Sequence, residues 1–346
     1  MKVKEAKAIT TEWVLNFSKK HSSFHSAYLA GSIVDREEET TLPPSSDLDV
    51  LIILNQEEIP LKPGKIRFHH VLLDVTYLPW SQFHEIEGVL SSYHLANSLK
   101  HNTILLDPTY ELHNLQLEVA RQFPKKKWVE ARCEDAMKRI TNNLNSLTQK
   151  SQWADQVMAW LFGTGVMCHV LLIAGLENPT IRLRYLTTRT LLTTYQQETV
   201  YEKLLDLLGC KELGAERLLE HLDHLEQTFD AAVSHAKTPF FFSSDITADA
   251  RVIAIDGSRE LIVAGNHREA VFWIVATFAR CHQIFNADAL NLSECYKQSF
   301  QLLLEDLGIH DVHDLEQRST SVRAYLPTLK ASAMKIMDEN PSVIDE

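Results

Sequence analysis

The run Asp47-Leu48-Asp49-Val50-Leu51-Ile52-Ile53-Leu54 constrains this chain more than any other stretch. Its apolar part reads as a strand with a core on it, since branched residues suit the pleated, packed surface of a sheet. Two carboxylates stand at its mouth. Side chains on a strand repeat with a period of two, so Asp47 and Asp49 leave the same face. Two like charges that close repel unless something cationic lies between them.

The flanking sequence supplies the rest of a sheet. Residues 5–20 form an amphipathic helix, with Ile9, Trp13, Val14 and Phe17 on one stripe. Ser26–Gly31 reads as a short strand ending at a glycine. Residues 33–46 are polar, carry Pro43-Pro44 and Ser45-Ser46, and form a loop. Residues 66–78, rich in β-branched and aromatic side chains, read as one long second strand. Residues 81–100 are helical, and Asn102–Pro108 holds a further short strand. After Phe123-Pro124 the pattern becomes almost wholly helical, with apolar runs such as Trp153–Gly175 and Val200–Gly209. Residues 238–258 interrupt it with a loop or a small excursion. The expectation is two domains, an α/β unit over 1–124 and a helical unit over 125–346. That agrees with about 150 residues per domain.

Charge narrows the partners. The chain has 46 acidic and 34 basic side chains, a net charge of −12. Proteins that hold nucleic acid by its phosphates carry a basic stripe. Here the one short run is Lys125-Lys126-Lys127, so nucleic acid is disfavoured and a cationic small molecule suits the surface better. The five cysteines are scattered with no CxxC pair, which suggests neither a zinc site nor a disulfide framework. The first residues lack a signal-peptide core. The most apolar stretch, 157–176, is broken by Gly163, Thr164, Gly165 and His169 and suits a soluble core better than a membrane span. A reducing cytoplasm is the expected compartment.

A third acid, Asp74, stands among Val71, Leu72, Leu73 and Val75, where a carboxylate is costly to bury unless paired or bound to metal. If this strand lies beside the first, antiparallel and in suitable register, three carboxylates converge with no lysine or arginine close in sequence to offset them. Magnesium answers such a cluster, held by carboxylates plus substrate phosphates. Two such ions about 4 Å apart clamp the attacking and leaving oxygens of a nucleotidyl transfer. Gly31-Ser32 then fits as a phosphate contact. Glycine lets backbone approach closely, the serine hydroxyl can bind terminal phosphates, and a helix starting there would add its dipole.

A strand, Gly31-Ser32, a loop, Asp47-x-Asp49 on the next strand and Asp74 on a later one resemble the polymerase-beta-type nucleotidyltransferase superfamily. With a helical domain following, the chain looks most like the aminoglycoside nucleotidyltransferases and their uncharacterised bacterial relatives. The resemblance covers residues 26 to about 110. It departs in a long loop before Asp47 and in having aspartate at 74, where several drug-modifying relatives carry glutamate.

The resemblance implies an α+β fold, a polymerase-beta-like mixed sheet with flanking helices followed by an all-helical domain. It implies magnesium-dependent transfer of a nucleoside monophosphate, from ATP or another nucleoside triphosphate, to a hydroxyl of a small-molecule acceptor such as an aminoglycoside-like cation. Asp47 and Asp49 would hold two Mg2+ ions and through them the nucleotide. Asp74 would complete the metal site, act as general base, or both. Gly31 and Ser32 would bind nucleotide. The helical domain would supply much of the acceptor pocket and could supply a homodimer interface. Rival readings are transfer to a protein hydroxyl, action on RNA ends, and a non-catalytic nucleotide-binding regulator of the same fold.

Elsewhere the plainer reading is favoured. Arg182, Arg184 and Arg189 could reach a triphosphate but read as helix-surface charge. Asp155 and Glu134 could line an acceptor pocket. His69-His70 would face opposite sides of a strand, and the pairs His221/His224 and His310/His313 read as surface residues. Cys168-His169 and Cys281-His282 lie in apolar runs and read as packing. Gly163-Thr164-Gly165 suits close helix packing rather than dinucleotide binding. Trp153, Trp160, Phe162 and Trp273 are core candidates.

Overall fold

The computed structural model describes residues 1–148 and 151–345. It is an α+β protein, with a five-stranded mixed sheet followed by a long helical region. The chain divides into two compact units. One is Met1–Arg132 together with the carboxy-terminal residues from Ser342; the other is Cys133–Pro341. The division lies later than the expected one after Pro124, because a helix runs through that point.

In the first unit, α1 (Val3–Ser18) buries Val3, Ala6, Thr10, Val14 and Phe17, a single stripe at helical spacing. Glu5 accepts a hydrogen bond from the Lys2 backbone N–H at 2.8 Å and so holds its first turn. Then follow β1 (Phe24–Ala30), β2 (Leu48–Leu54), β3 (Gly64–Phe68) and β4 (Val71–Pro79). Helices α2 (Ile86–Ser91) and α3 (Tyr93–Leu99), strand β5 (Ile104–Leu106) and helix α4 (Glu111–Gln122) complete the sequence of elements. The order across the sheet is β3-β4-β2-β1-β5. Leu48, Val50, Ile52 and Leu54 of β2 share one core with Leu73 and Val75 of β4 and with the α1 stripe. Fully burying one such side chain contributes about 1.5–3 kcal/mol. With that face of β2 committed to the core, the period of two sends Asp47 and Asp49 to the opposite face.

Two expectations need correction. Residues 66–78 are not one strand. The chain reverses at His69-His70, His69 with a φ of 50°, and β3 and β4 form an antiparallel hairpin. These histidines therefore occupy a turn instead of opposite faces of a strand. The second correction concerns direction: β2 and β4 pair parallel, with Leu48 opposite Leu73 and Asp49 opposite Asp74. A parallel neighbour needs an intervening crossover, and β3 lies within that connection.

Helix α5 (Lys126–Asn145) leaves the first unit. Buried Arg132 donates from Nη2 to the Phe123 carbonyl at 2.7 Å and from Nη1 to the Leu90 carbonyl at 3.2 Å. The tail returns here, the Lys126 N–H donating to the Ile344 carbonyl at 2.7 Å.

The second unit holds α6 (Trp153–Ala174), α7 (Arg184–Thr194), α8 (Glu198–Leu208) and α9 (Ala215–His235). It continues with α10 (Gly257–Val263), α11 (His267–Asp288), α12 (Leu290–Asp306) and α13 (Val312–Glu339). Helices α6 and α11 are apolar nearly all round because both run through the middle of this unit. Among the described residues α6 is the one helix long and apolar enough to cross a membrane, and 94% of its most apolar window is buried inside the protein. The two glycines in it act in packing. A Cβ on Gly163 would stand 2.4 Å from Leu144 Cδ2, and one on Gly165 would stand 2.2 Å from Phe272 Cε2.

Candidate active site

The face of the sheet that β2 turns away from α1 carries the acids. Ala30, the last residue of β1, pairs with Asp49 on β2, and Asp49 pairs in turn with Asp74 on β4. Asp47 precedes the first residue of β2 by one position and shares the side of Asp49. The adjacent strands therefore bring all three expected carboxylates to one place.

Gly31 closes the arrangement. Its φ of 67° lies in the left-handed region, and a Cβ there would stand 1.7 Å from Asp49 Oδ2 and 2.7 Å from its Cγ. No side chain fits, so glycine is required twice over, by conformation and by the carboxylate seated on its Cα. The chain then makes one 3₁₀ turn, Gly31–Ile33, with Ser32 half-buried in it. The condition for a dipole contribution at Gly31-Ser32, a helix starting there, is not met, because one such turn has no helix dipole to add. Three residues on from Ser32, the Asp35 carboxylate meets Lys100 Nζ at 3.0 Å.

The second departure is electrostatic. Lys65 on β3 is the register partner of Asp74. Its ammonium lies 2.7 Å from Asp74 Oδ2 and 2.9 Å from Asp47 Oδ2, and its side chain is only 5% exposed. Lys62 Nζ stands 3.5 Å from Asp74 Oδ1. The acids are thus offset by two lysines, against the expectation of none. Asp49 is the least compensated of the three. Burial pushes its carboxyl up to about 8, the charges of Asp47 and Asp74 push the same way, and Lys65 and Lys62 oppose them.

Among the described residues no three acidic, histidine or cysteine side chains gather as they would around one metal. Lys65 already joins Asp47 to Asp74. Asp49 gains most from a cation, since two like charges face it. Asp74 Oδ1 is buried without a hydrogen-bond donor. Magnesium is held by one or two carboxylates plus phosphate oxygens and does not demand an all-protein cage. Asp49, with the Asp47 oxygen that Lys65 does not bond, fits that need; Asp74 meets a lysine at both of its oxygens.

Other residues singled out in the sequence fall elsewhere. Arg184 and Arg189 are not ordinary surface charges. Arg184 is buried with its guanidinium 4.0 Å from the Phe272 ring centre, and Arg189 Nη1 bonds buried Glu269 at 2.6 Å. His221 is buried as well, Nε2 at 2.7 Å from Asp306 Oδ2, which corrects its expected surface position. Asp155 accepts from Gln283 Nε2 at 2.5 Å, and Glu134 meets Lys330 at 3.9 Å. Cys168, His169, Cys281 and His282 are all buried.

The site residues that sequence reasoning missed are Lys62 and Lys65. A signal existed, since positions 65 and 74 are equidistant from 69-70. Reading His69-His70 as a two-residue turn would have set Lys65 opposite Asp74. Comparison with family models, with curated proteins and with solved structures returns no match to this chain.

Proposed function

We propose that this chain is a polymerase-beta-type nucleotidyltransferase. It would transfer a nucleoside monophosphate from a nucleoside triphosphate, ATP by default, to a hydroxyl of a small-molecule acceptor, with release of pyrophosphate. One observation carries the reading: Gly31 is turned so tightly against Asp49 that only glycine fits, and Asp49 stands directly opposite Asp74. A phosphate held at that turn would lie beside a carboxylate pair.

In this reading Asp47 and Asp49 hold Mg2+ and thereby the triphosphate. Bound there, Mg2+ supplies charge neutralisation on the phosphate oxygens. The Ser32 hydroxyl takes the terminal phosphates. The acceptor oxygen attacks the α-phosphorus, its bond to that phosphorus forms, and the bond to the pyrophosphate oxygen breaks. Asp74 accepts the proton that the hydroxyl loses. Positioning and charge stabilisation carry the rate, as in phosphoryl transfer generally.

The test is thermal melting of wild type and of an Asp47→Asn/Asp49→Asn variant with ATP, GTP, CTP and UTP, with and without Mg2+. A ligand that binds the native state alone raises the melting temperature by mass action. The expected result is a shift that needs both nucleotide and Mg2+ and is lost in the variant. No shift with any nucleotide would sink the reading. The grip of Lys65 on Asp74 favours one alternative, a nucleotide-binding protein of this fold in which no base is free to start transfer. Nucleotide binding without pyrophosphate release across an acceptor panel would select it.

A further inference from the structure

The hairpin β3–β4 places a lysine where a bridging ion would stand. Lys65 Nζ is within 2.7 Å of an Asp74 oxygen and 2.9 Å of an Asp47 oxygen. A magnesium ion touching both oxygens at about 2.1 Å would need the space that this ammonium fills. Lys65 is not a surface side chain that swings aside. Its backbone is fixed by the ladder as the direct partner of Asp74, and 95% of its side chain is out of solvent. Leaving the site would strand two partly buried carboxylates and expose the lysine stem. Lys62 reinforces the arrangement from the other side of Asp74, at 3.5 Å. Asp49 differs from its neighbours: neither ammonium bonds it, though both Asp47 and Asp74 repel it.

We infer that Lys65 takes the place of the second metal ion, so that the site holds one divalent cation per chain, on the Asp47–Asp49 side, with its nucleotide. This rests on the nucleotidyltransferase reading and departs from the two ions that reading would otherwise carry. In transfer, Lys65 is a positioning residue. It holds the Asp74 carboxylate in place and supplies the positive charge that a second ion would bring, without dissociating between turnovers.

The experiment is equilibrium dialysis of the full chain against Mn2+ and α,β-methylene-ATP, whose α–β bridge resists cleavage. Manganese is counted by elemental analysis as the excess over the Asp47→Asn/Asp49→Asn variant. Wild type is expected to hold one ion per chain, Lys65→Arg one, and Lys65→Met two. Two ions in wild type, or one in a folded Lys65→Met, would overturn the inference and leave nucleotidyl transfer standing. No manganese in excess of the variant would overturn both. The wild-type count decides even where Lys65→Met does not fold.

Discussion

Replacing Gly31 by alanine tests the architecture of the acid cluster without touching a charge. Two costs are separable. A non-glycine residue at a φ of 67° carries about 1–2 kcal/mol of left-handed strain. A stiffer unfolded chain returns about 0.4–1 kcal/mol of that. The second cost is collision, because the new methyl would stand 1.7 Å from Asp49 Oδ2. Driving that carboxylate off its rotamer adds about 0.5–1.5 kcal/mol. Gly31→Ala should therefore cost about 2 kcal/mol in wild type. In an Asp49→Ala background the nearest remaining atom of residue 49 is its Cβ, 3.3 Å away, so only the strain survives, about 1 kcal/mol. The assay is hydrogen exchange of peptides covering β1 and β2, which reports opening of this unit separately from the helical one. At tenfold per 1.4 kcal/mol, exchange should quicken about thirtyfold in wild type and about fivefold in the Asp49→Ala background. Equal effects in both backgrounds would refute the claim that the glycine exists to seat the carboxylate.

Two further outcomes are expected. Asp49 keeps its proton up to about pH 8 when folded and loses it near 3.9 when unfolded. Its contribution is therefore fully present below about pH 4 and is lost as pH rises towards 8. In chelated buffer the wild type should lose stability over that window relative to Asp49→Asn, as urea titrations would record, and a difference that grows in the opposite direction would refute the assigned burial. In the helical unit, Gly165→Ala should cost about 1–3 kcal/mol through overpacking against Phe272. Gly214→Ala, with nothing within 4 Å of its added methyl, should change stability by less than about 0.5 kcal/mol; comparable losses at the two positions would remove the packing argument.

What could be read from the chain follows the range of the forces involved. The α1 stripe, β1, β2 and the switch to helices after Pro124 rest on local periodicity and were legible. The β3–β4 hairpin was not. Two-residue hairpin turns favour Asn-Gly or Gly-containing pairs, and His69-His70 carries no such chemistry, so an apolar run on both sides merges into one apparent strand. The sense of β2 against β4 was equally hidden, since an alternating pattern is the same in either direction. In the helical half, Arg184 and His221 read as surface residues because their type usually is. Their burial depends on Phe272 and Asp306, far along the chain, and no local spacing announces those partners.

The missed lysines change the physical account of the site as well as its membership. Three carboxylates on neighbouring strands with no counter-charge would repel, and the sheet would depend on a metal ion to close. Lys65 removes that dependence, because the same register that aligns Asp49 with Asp74 also aligns Lys65 with Asp74. Asp74 and Asp47 are thereby balanced by the fold itself, and Asp49, left without a counter-charge, keeps its proton until a cation displaces it. On the proposed function, a cation arriving with a triphosphate would find a frame already built and one carboxylate left to satisfy. Binding energy would then go into capturing the nucleotide, not into assembling the acids, which is the advantage of a preorganised site.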